Sequence, residues 1–212
     1  MIELVMPGDI EKKSFQIIAS ELAEMGITLD PERDLIIRRA IHTSADFDYA
    51  ETLTFSPDAV RIARELIAGG ANIVTDTNMA LAGINKSKLA AFGGEAHCYM
   101  AETSVALEAK ERGVTRASVS MEHAAKDIKK SGKKTIFAIG NAPTALVTLR
   151  SMYDSGEFTP DFIIGVPVGF VNVVEAKELI IDTDIPYIVN RGRKGGSNIA
   201  AAIVNALLYG MK

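Results

Sequence analysis

The sequence predicts an α/β fold: three layers, with a mostly parallel sheet carrying helices on both faces. Three observations lead there. Short apolar runs alternate with longer stretches of helical periodicity along the chain. Turn and cap residues punctuate the junctions between them. Polar or glycine-rich segments follow several predicted strands, and ligands of open α/β sheets bind outside the carboxyl ends of strands.

Residues 9–24 place Phe15, Ile18, Leu22 and Met25 at helical spacing, and Gly26 stops the helix. Ser56-Pro57-Asp58 reads as an N-cap, a first-turn proline and a first-turn acid of a helix ending at Gly69-Gly70. Strands are expected at 71–75, 96–100, 135–139, 162–166 and 186–189. Helices are expected at 102–111, 116–130, 143–153 and 173–181, with a small-residue helix at 198–208. The lysine-rich run from Lys126 to Lys134 fits a solvated helix end, where cations suit the dipole.

The 212 residues suit one domain spanning 1–212, since the chain is long for one core and short for two. Hydrophobic residues make up 48%, yet no apolar run reaches spanning length, so no membrane partner is expected. The first residues lack a basic region followed by an apolar one, and Cys98 stands alone, which together suit the reducing cytoplasm. A net charge of −4, with bases and acids interspersed, argues against nucleic acid. An anionic small molecule must then be drawn by local cations.

Two glycine-rich turns bracket one predicted helix near the C-terminus. The first is Gly165-Val166-Pro167-Val168-Gly169-Phe170; the second is Arg191-Gly192-Arg193-Lys194-Gly195-Gly196-Ser197. Glycine permits close backbone approach, and a helix N-terminus offers free N–H groups and partial positive charge. Neither turn fits GxxxxGK[ST], and GxGxxG does not occur. On spacing alone the glycines also fit plain αβ turns edged by solvated cations.

These turns, with Glu175-Ala176-Lys177-Glu178 and Asn205-Ala206-Leu207, resemble the precorrin-8X methylmutase family. Arg39-Ala40-Ile41-His42-Thr43-Ser44-Ala45-Asp46 and Gly140-Asn141-Ala142-Pro143-Thr144-Ala145-Leu146 match it upstream, in the same order. The resemblance implies an isomerase of cobalamin biosynthesis that moves the ring C methyl from C-11 to C-12 of precorrin-8X or cobalt-precorrin-8. The product is hydrogenobyrinate or cobyrinate. It implies no external methyl donor or cofactor, any cobalt arriving with the substrate, and a homodimer with sites near the subunit interface. A corrinoid carrier that binds product without turnover is the alternative. A sugar-phosphate isomerase would use only the anion-binding loops and leaves the His42 segment unexplained.

Residue by residue, the resemblance makes His42 the proton donor, within a polar segment where an imidazole can meet a ligand. Asp46, four residues on, is expected either to orient it or to be an exposed carboxylate. Ser14, Thr75, Thr77 and Asn78 are expected polar contacts, and Arg116 a partner for a substrate acetate or propionate. Arg191, Arg193 and Lys194 are expected to meet peripheral carboxylates, with Gly195 and Gly196 letting helix N–H groups reach another. Asn141 is a further candidate contact and Val168 a candidate wall for the ring, whereas Phe170 is expected to be buried. Glu175 and Lys177 receive no role. His97 beside Cys98, and His123 beside Glu122, have the wrong offsets to chelate, so no metal site is expected.

Overall fold

The computed structural model describes residues 6–211. A 3-10 turn at Pro7–Asp9 leads into helix α1 (Ile10–Glu24), then α2 (Asp34–Ser44), the short α3 (Tyr49–Thr52), strand β1 (Leu53–Phe55) and α4 (Ala59–Ala68). Strand β2 (Asn72–Thr75) is followed by α5 (Asn78–Gly83), α6 (Lys86–Ala91) and β3 (Ala96–His97). Helices α7 (Thr103–Arg112) and α8 (Arg116–Ser131) precede β4 (Thr135–Ile139). The chain continues through α9 (Pro143–Asp154), β5 (Phe162–Gly165), α10 (Val173–Ile181), β6 (Tyr187–Asn190) and α11 (Ser197–Tyr209).

The strands line up as β1-β6-β5-β4-β2-β3, all parallel except β1, which runs antiparallel to β6 at one edge. The strands alternate their side chains between two apolar layers. Ile136, Ala138, Phe162, Ile164 and Ile188 pack with α1, α2, α4 and α11 on one face. Phe137, Ile139, Ile163 and Val189 pack with α8, α9 and α10 on the other. Every residue of β4 and β5 is buried, so neither strand can show the half-polar alternation of a solvated sheet. The three-layer α/β expectation holds, and no helix among the described residues is long and apolar enough to cross a membrane.

Several elements differ from expectation. The polar-looking segment before Ala45 is helix α2, whose Ile36, Ile37, Ala40 and Ile41 form one buried stripe. It ends at Ala45, in the left-handed region at φ 55°. Strand β1 was not expected; three residues give too little periodicity to register. The helix after it starts at Ala59, not Pro57, because Asp58 at φ 56° and not Ser56 takes the capping position. The Ser56 hydroxyl instead accepts the Tyr187 N–H at 2.9 Å, tying the end of β1 to β6. Strand β3 keeps only two of its five expected residues.

Candidate functional site

The sheet reverses its winding between β2 and β4, since β2 connects onward to β3 on one side and β4 to β5 on the other. In open α/β sheets that switch point is the ligand crevice. Here Asp76, directly after β2, fills it. Its carboxylate accepts the amide N–H groups of Gly140 (2.9 Å), Asn141 (2.8 Å) and Ala142 (2.6 Å). The chain thus supplies its own anion beside the N-terminus of α9. Asp76 is fully buried; burial pushes its pKa up, and the three amides oppose that rise. Sequence reasoning did not single it out, although an acid directly after a buried strand was a readable signal.

The residues around it divide by access. Thr75 is buried, with its hydroxyl bonded to the Thr77 and His97 carbonyls at 3.1 and 3.3 Å, so it is part of the scaffold and not an exposed polar contact. Thr77 caps α5 by accepting the Ala80 N–H, and its hydroxyl lies 2.8 Å from that of Ser197. Asn78 and Asn141 keep exposed side chains.

The loop after β6 closes against the loop after β5. The Gly196 N–H donates to the Val166 carbonyl at 2.9 Å, and the Gly169 N–H donates to the Arg193 carbonyl at 3.1 Å. A Cβ on Gly195, at φ 158°, would run into the Val166 carbonyl oxygen and lie 2.9 Å from that of Pro167. The close approach these glycines permit is therefore loop on loop. The Gly196 amide is spent on this loop contact and is not free for a ligand.

The three cations of this loop are not equivalent. Arg191 pairs with Glu178 at 3.2 Å. Lys194 bridges Asp46 at 2.6 Å and Asp48 at 2.5 Å, pinning the loop to the segment after α2. Those carboxylates hold the Lys194 amine well above its ordinary range, and Lys194 holds the Asp46 carboxyl below its own. Arg193 has no carboxylate partner among the described residues and lies 5.4 Å from the centre of the Phe170 ring. Phe170 is 82% exposed, contrary to the expected burial, and Val168 is 47% exposed. An exposed aromatic beside an unpaired guanidinium suits a flat anionic ligand.

His42 sits in the last turn of α2 with its ring exposed. Its Nδ1 lies 2.7 Å from Ser14 Oγ on α1, and the Phe15 ring stacks on it at 5.5 Å. Two expected site residues thus meet directly. Asp46 does not orient the imidazole, because Lys194 engages it; Ser14 takes that part. Arg39, one turn before His42, stands over Phe15 at 5.5 Å and Tyr209 at 4.7 Å and is paired with Glu11. Beside this cluster a groove of about 330 Å³ runs between α2, α5 and α11, lined by Arg39, Thr43, Met79 and Asn198 among others.

Arg116 opens α8, exposed and without an ion pair among the described residues. The hydroxyl of its neighbour Thr115 lies 2.8 Å from that of Thr144 on α9, so α8 and α9 begin side by side. Among the described residues no hydrogen bond, ion pair or ring contact joins Arg116 to His42. Among the described residues no group of three or more His, Cys, Asp or Glu side chains could hold a metal ion. His123 is bonded to Glu108 at 2.8 Å, and His97 lies 3.4 Å from the Asn72 amide nitrogen.

The CbiC precorrin-8X methylmutase family model matches residues 9–210. The cobalt-precorrin-8 methylmutase of Salmonella typhimurium is 43% identical over 209 residues, covering 97% of this chain and 96% of its own. The precorrin-8X methylmutase of Pseudomonas aeruginosa is 39% identical over 210 residues, covering 98% of each. A crystal structure of precorrin-8X methylmutase from Thermus thermophilus superposes with a TM-score of 0.83 at 34% identity, covering 95% of this chain and 96% of that one. With a family model and close relatives spanning almost its full length, the chain belongs to the precorrin-8X methylmutase family.

Proposed function

We propose that this protein catalyses the intramolecular methyl shift from C-11 to C-12 of precorrin-8X or cobalt-precorrin-8. The observation that carries this reading, beside family membership, is the His42–Ser14 pair. Ser14 fixes the imidazole through Nδ1, which leaves Nε2 on an exposed ring for the substrate. The reaction is an isomerisation: one carbon–carbon bond breaks at C-11, one forms at C-12, and no group enters or leaves. The protein's contribution is to hold the macrocycle with the methyl over its acceptor carbon. His42 adds a proton or a strong hydrogen bond to the ring, so that electron density falls where the methyl arrives.

Binding follows the division among the cations. Arg193 and Arg116 are the arginines assigned to substrate carboxylates, because neither is committed to a carboxylate among the described residues. Arg191 and Lys194 meet substrate only by exchanging partners. Val168 and Phe170 supply apolar surface for the ring's flat face, and Asn78, Asn141 and Thr77 its polar contacts. Cobalt, where present, is cargo of the substrate, and no resident cofactor is assigned. Residues 9–210 act as one unit, in a cytoplasmic homodimer. The exposed Val168, Phe170 and Val171 support that assembly as apolar surface for a ring or a second copy to cover.

The test is the visible spectrum after mixing purified protein with precorrin-8X and, separately, cobalt-precorrin-8. Conversion to the completed corrin chromophore, lost in His42→Ala while the corrinoid still binds, is the expected result. A bound spectrum without conversion on either substrate would replace the enzyme by a carrier. Sedimentation at micromolar concentration checks the dimer.

A further inference from the structure

The backbone carbonyls of residues 191–194 are all drawn into the fold. Asn190 Nδ2 donates to the carbonyls of Arg191 at 3.2 Å and Lys194 at 2.9 Å. Lys177 Nζ donates to those of Gly192 and Lys194, both at 2.8 Å. The Arg193 carbonyl accepts the Gly169 N–H at 3.1 Å. No acceptor of this stretch is left to face an incoming anion, while its arginine side chains stay exposed.

Lys177 is the unusual member of this arrangement. It lies on α10 with no exposed surface and has no carboxylate partner among the described residues. Burying an ammonium without a counter-ion is costly, and a methionine would fill the same space without that cost. The charge is therefore explained by what it holds, and both its bonds go to the cationic loop. An ammonium has three donors and no acceptor, so it can only gather acceptors, and here both of its bonds go to carbonyl oxygens.

We propose that Lys177 is the positioning residue of the substrate-binding loop: with Asn190, its buried ammonium turns the carbonyls of Arg191, Gly192 and Lys194 away from the site, so a polycarboxylate ring meets cationic side chains and not these carbonyl oxygens. This rests on the methylmutase reading above. Lys177 itself touches no substrate; it acts through Arg193, whose guanidinium depends on the loop's course. Burial pushes the Lys177 amine down to about 8, which leaves the ammonium form prevailing at neutral pH.

Lys177→Met keeps the volume and removes the clamp, and trypsin reads the loop without any substrate. The intact Lys177→Met protein is expected to be cut after Arg191, Arg193 or Lys194 at least about tenfold faster than wild type, below the temperature where either unfolds. Its KM for the corrinoid is expected to rise about 5- to 20-fold with kcat within about twofold, the mark of lost binding rather than lost chemistry. Unchanged cleavage and unchanged KM would overturn the proposal, as would a fall in kcat with KM intact. Asn190→Asp keeps the oxygen that accepts the Thr52 hydroxyl at 2.8 Å but removes both donors. It carries the test if Lys177→Met fails to fold: faster cleavage with raised KM supports the clamp, and wild-type behaviour refutes it. Wild-type protein that turned over no corrinoid would instead bring down the methylmutase reading, a result visible before any variant is compared.

Discussion

Replacing Asp76 tests whether the switch-point crevice is held shut by one carboxylate. Asp76→Ala strands three amide N–H groups that now donate at 2.9, 2.8 and 2.6 Å. Gly140 is buried, so its amide bears the full cost of an unsatisfied donor, whereas Asn141 is exposed and Ala142 half-buried, so water can reach theirs. A buried orphan costs about 1–3 kcal/mol, and bonds to a charged group are worth about 1.5–3 kcal/mol each before discounting for water. Relief from burying the carboxylate offsets part of the loss. The net expectation is about 3–5 kcal/mol, a large share of the about 5–15 kcal/mol that stabilises a typical domain. Asp76→Asn keeps one acceptor but points an NH2 at amide donors, so it is expected to lose nearly as much. Urea unfolding with an unchanged slope measures both, and hydrogen exchange at residues 140–142 localises the effect. A loss below about 1 kcal/mol in Asp76→Ala would refute the role given to the three amides.

Four further outcomes are expected. Ser14→Ala should lower kcat about 3- to 10-fold with little change in KM, the worth of about one hydrogen bond that orients His42; a change in KM alone would place Ser14 in binding. Gly195→Ala should destabilise the fold by about 2 kcal/mol or more, because the added methyl meets the Val166 carbonyl, and calorimetry reads it. The Asp46 carboxyl is held low by Lys194, so its contribution to stability is present above the ordinary carboxylate pKa of about 4 and is lost as pH falls through the lower folded value; Lys194→Met should flatten that acid limb in urea titrations. Arg193→Ala should weaken corrinoid binding more at low salt than at high, and a salt-independent loss in titrations would point to packing instead.

The sheet was legible because its central strands are apolar runs bounded by turn residues. Strands β4 and β5, with α8, α9 and α10, fall within a residue or so of their expected bounds. The shortest elements were not legible, since β1, α3, α5 and α6 hold three to six residues and depend on tertiary contacts for their conformation. Helix α2 was legible in principle: its buried isoleucines lie at helical spacing, though charged and polar residues surround His42 at its end.

At the site, residue types were easier to read than their partners. His42 and Ser14 were each expected at the site, but not as a pair, and their 2.7 Å contact spans 28 positions that no periodicity links. Asp46 looked well placed for His42 by its four-residue spacing, yet the helix ends at Ser44 and Ala45 turns left-handed, which breaks the geometry that spacing assumes. Phe170 looked like core because it is aromatic. Its position in a loop whose backbone is bonded to the loop after β6 leaves the ring outside.

The two glycine-rich turns follow β5 and β6, at strand ends as expected, and pack backbone on backbone. A phosphate-binding loop presents its amides outward, and the turn after β4 spends three of them on Asp76 while Gly196 gives its own to Val166. That choice suits a large ring with carboxylates on its periphery better than a compact phosphate. A phosphate is met by converging backbone N–H groups in a crevice a few ångströms wide, whereas dispersed carboxylates need cations set apart along a rim. Asp76 stabilises a closed crevice, and Lys177 with Asn190 holds an adjacent loop whose charge is carried by side chains. Reopening the crevice would give the chain a phosphate cradle only at the expense of the turn that starts α9. The glycines thus provide the packing that lets the loops approach each other, and the arginine and apolar side chains of Arg193, Val168 and Phe170 are left on the surface.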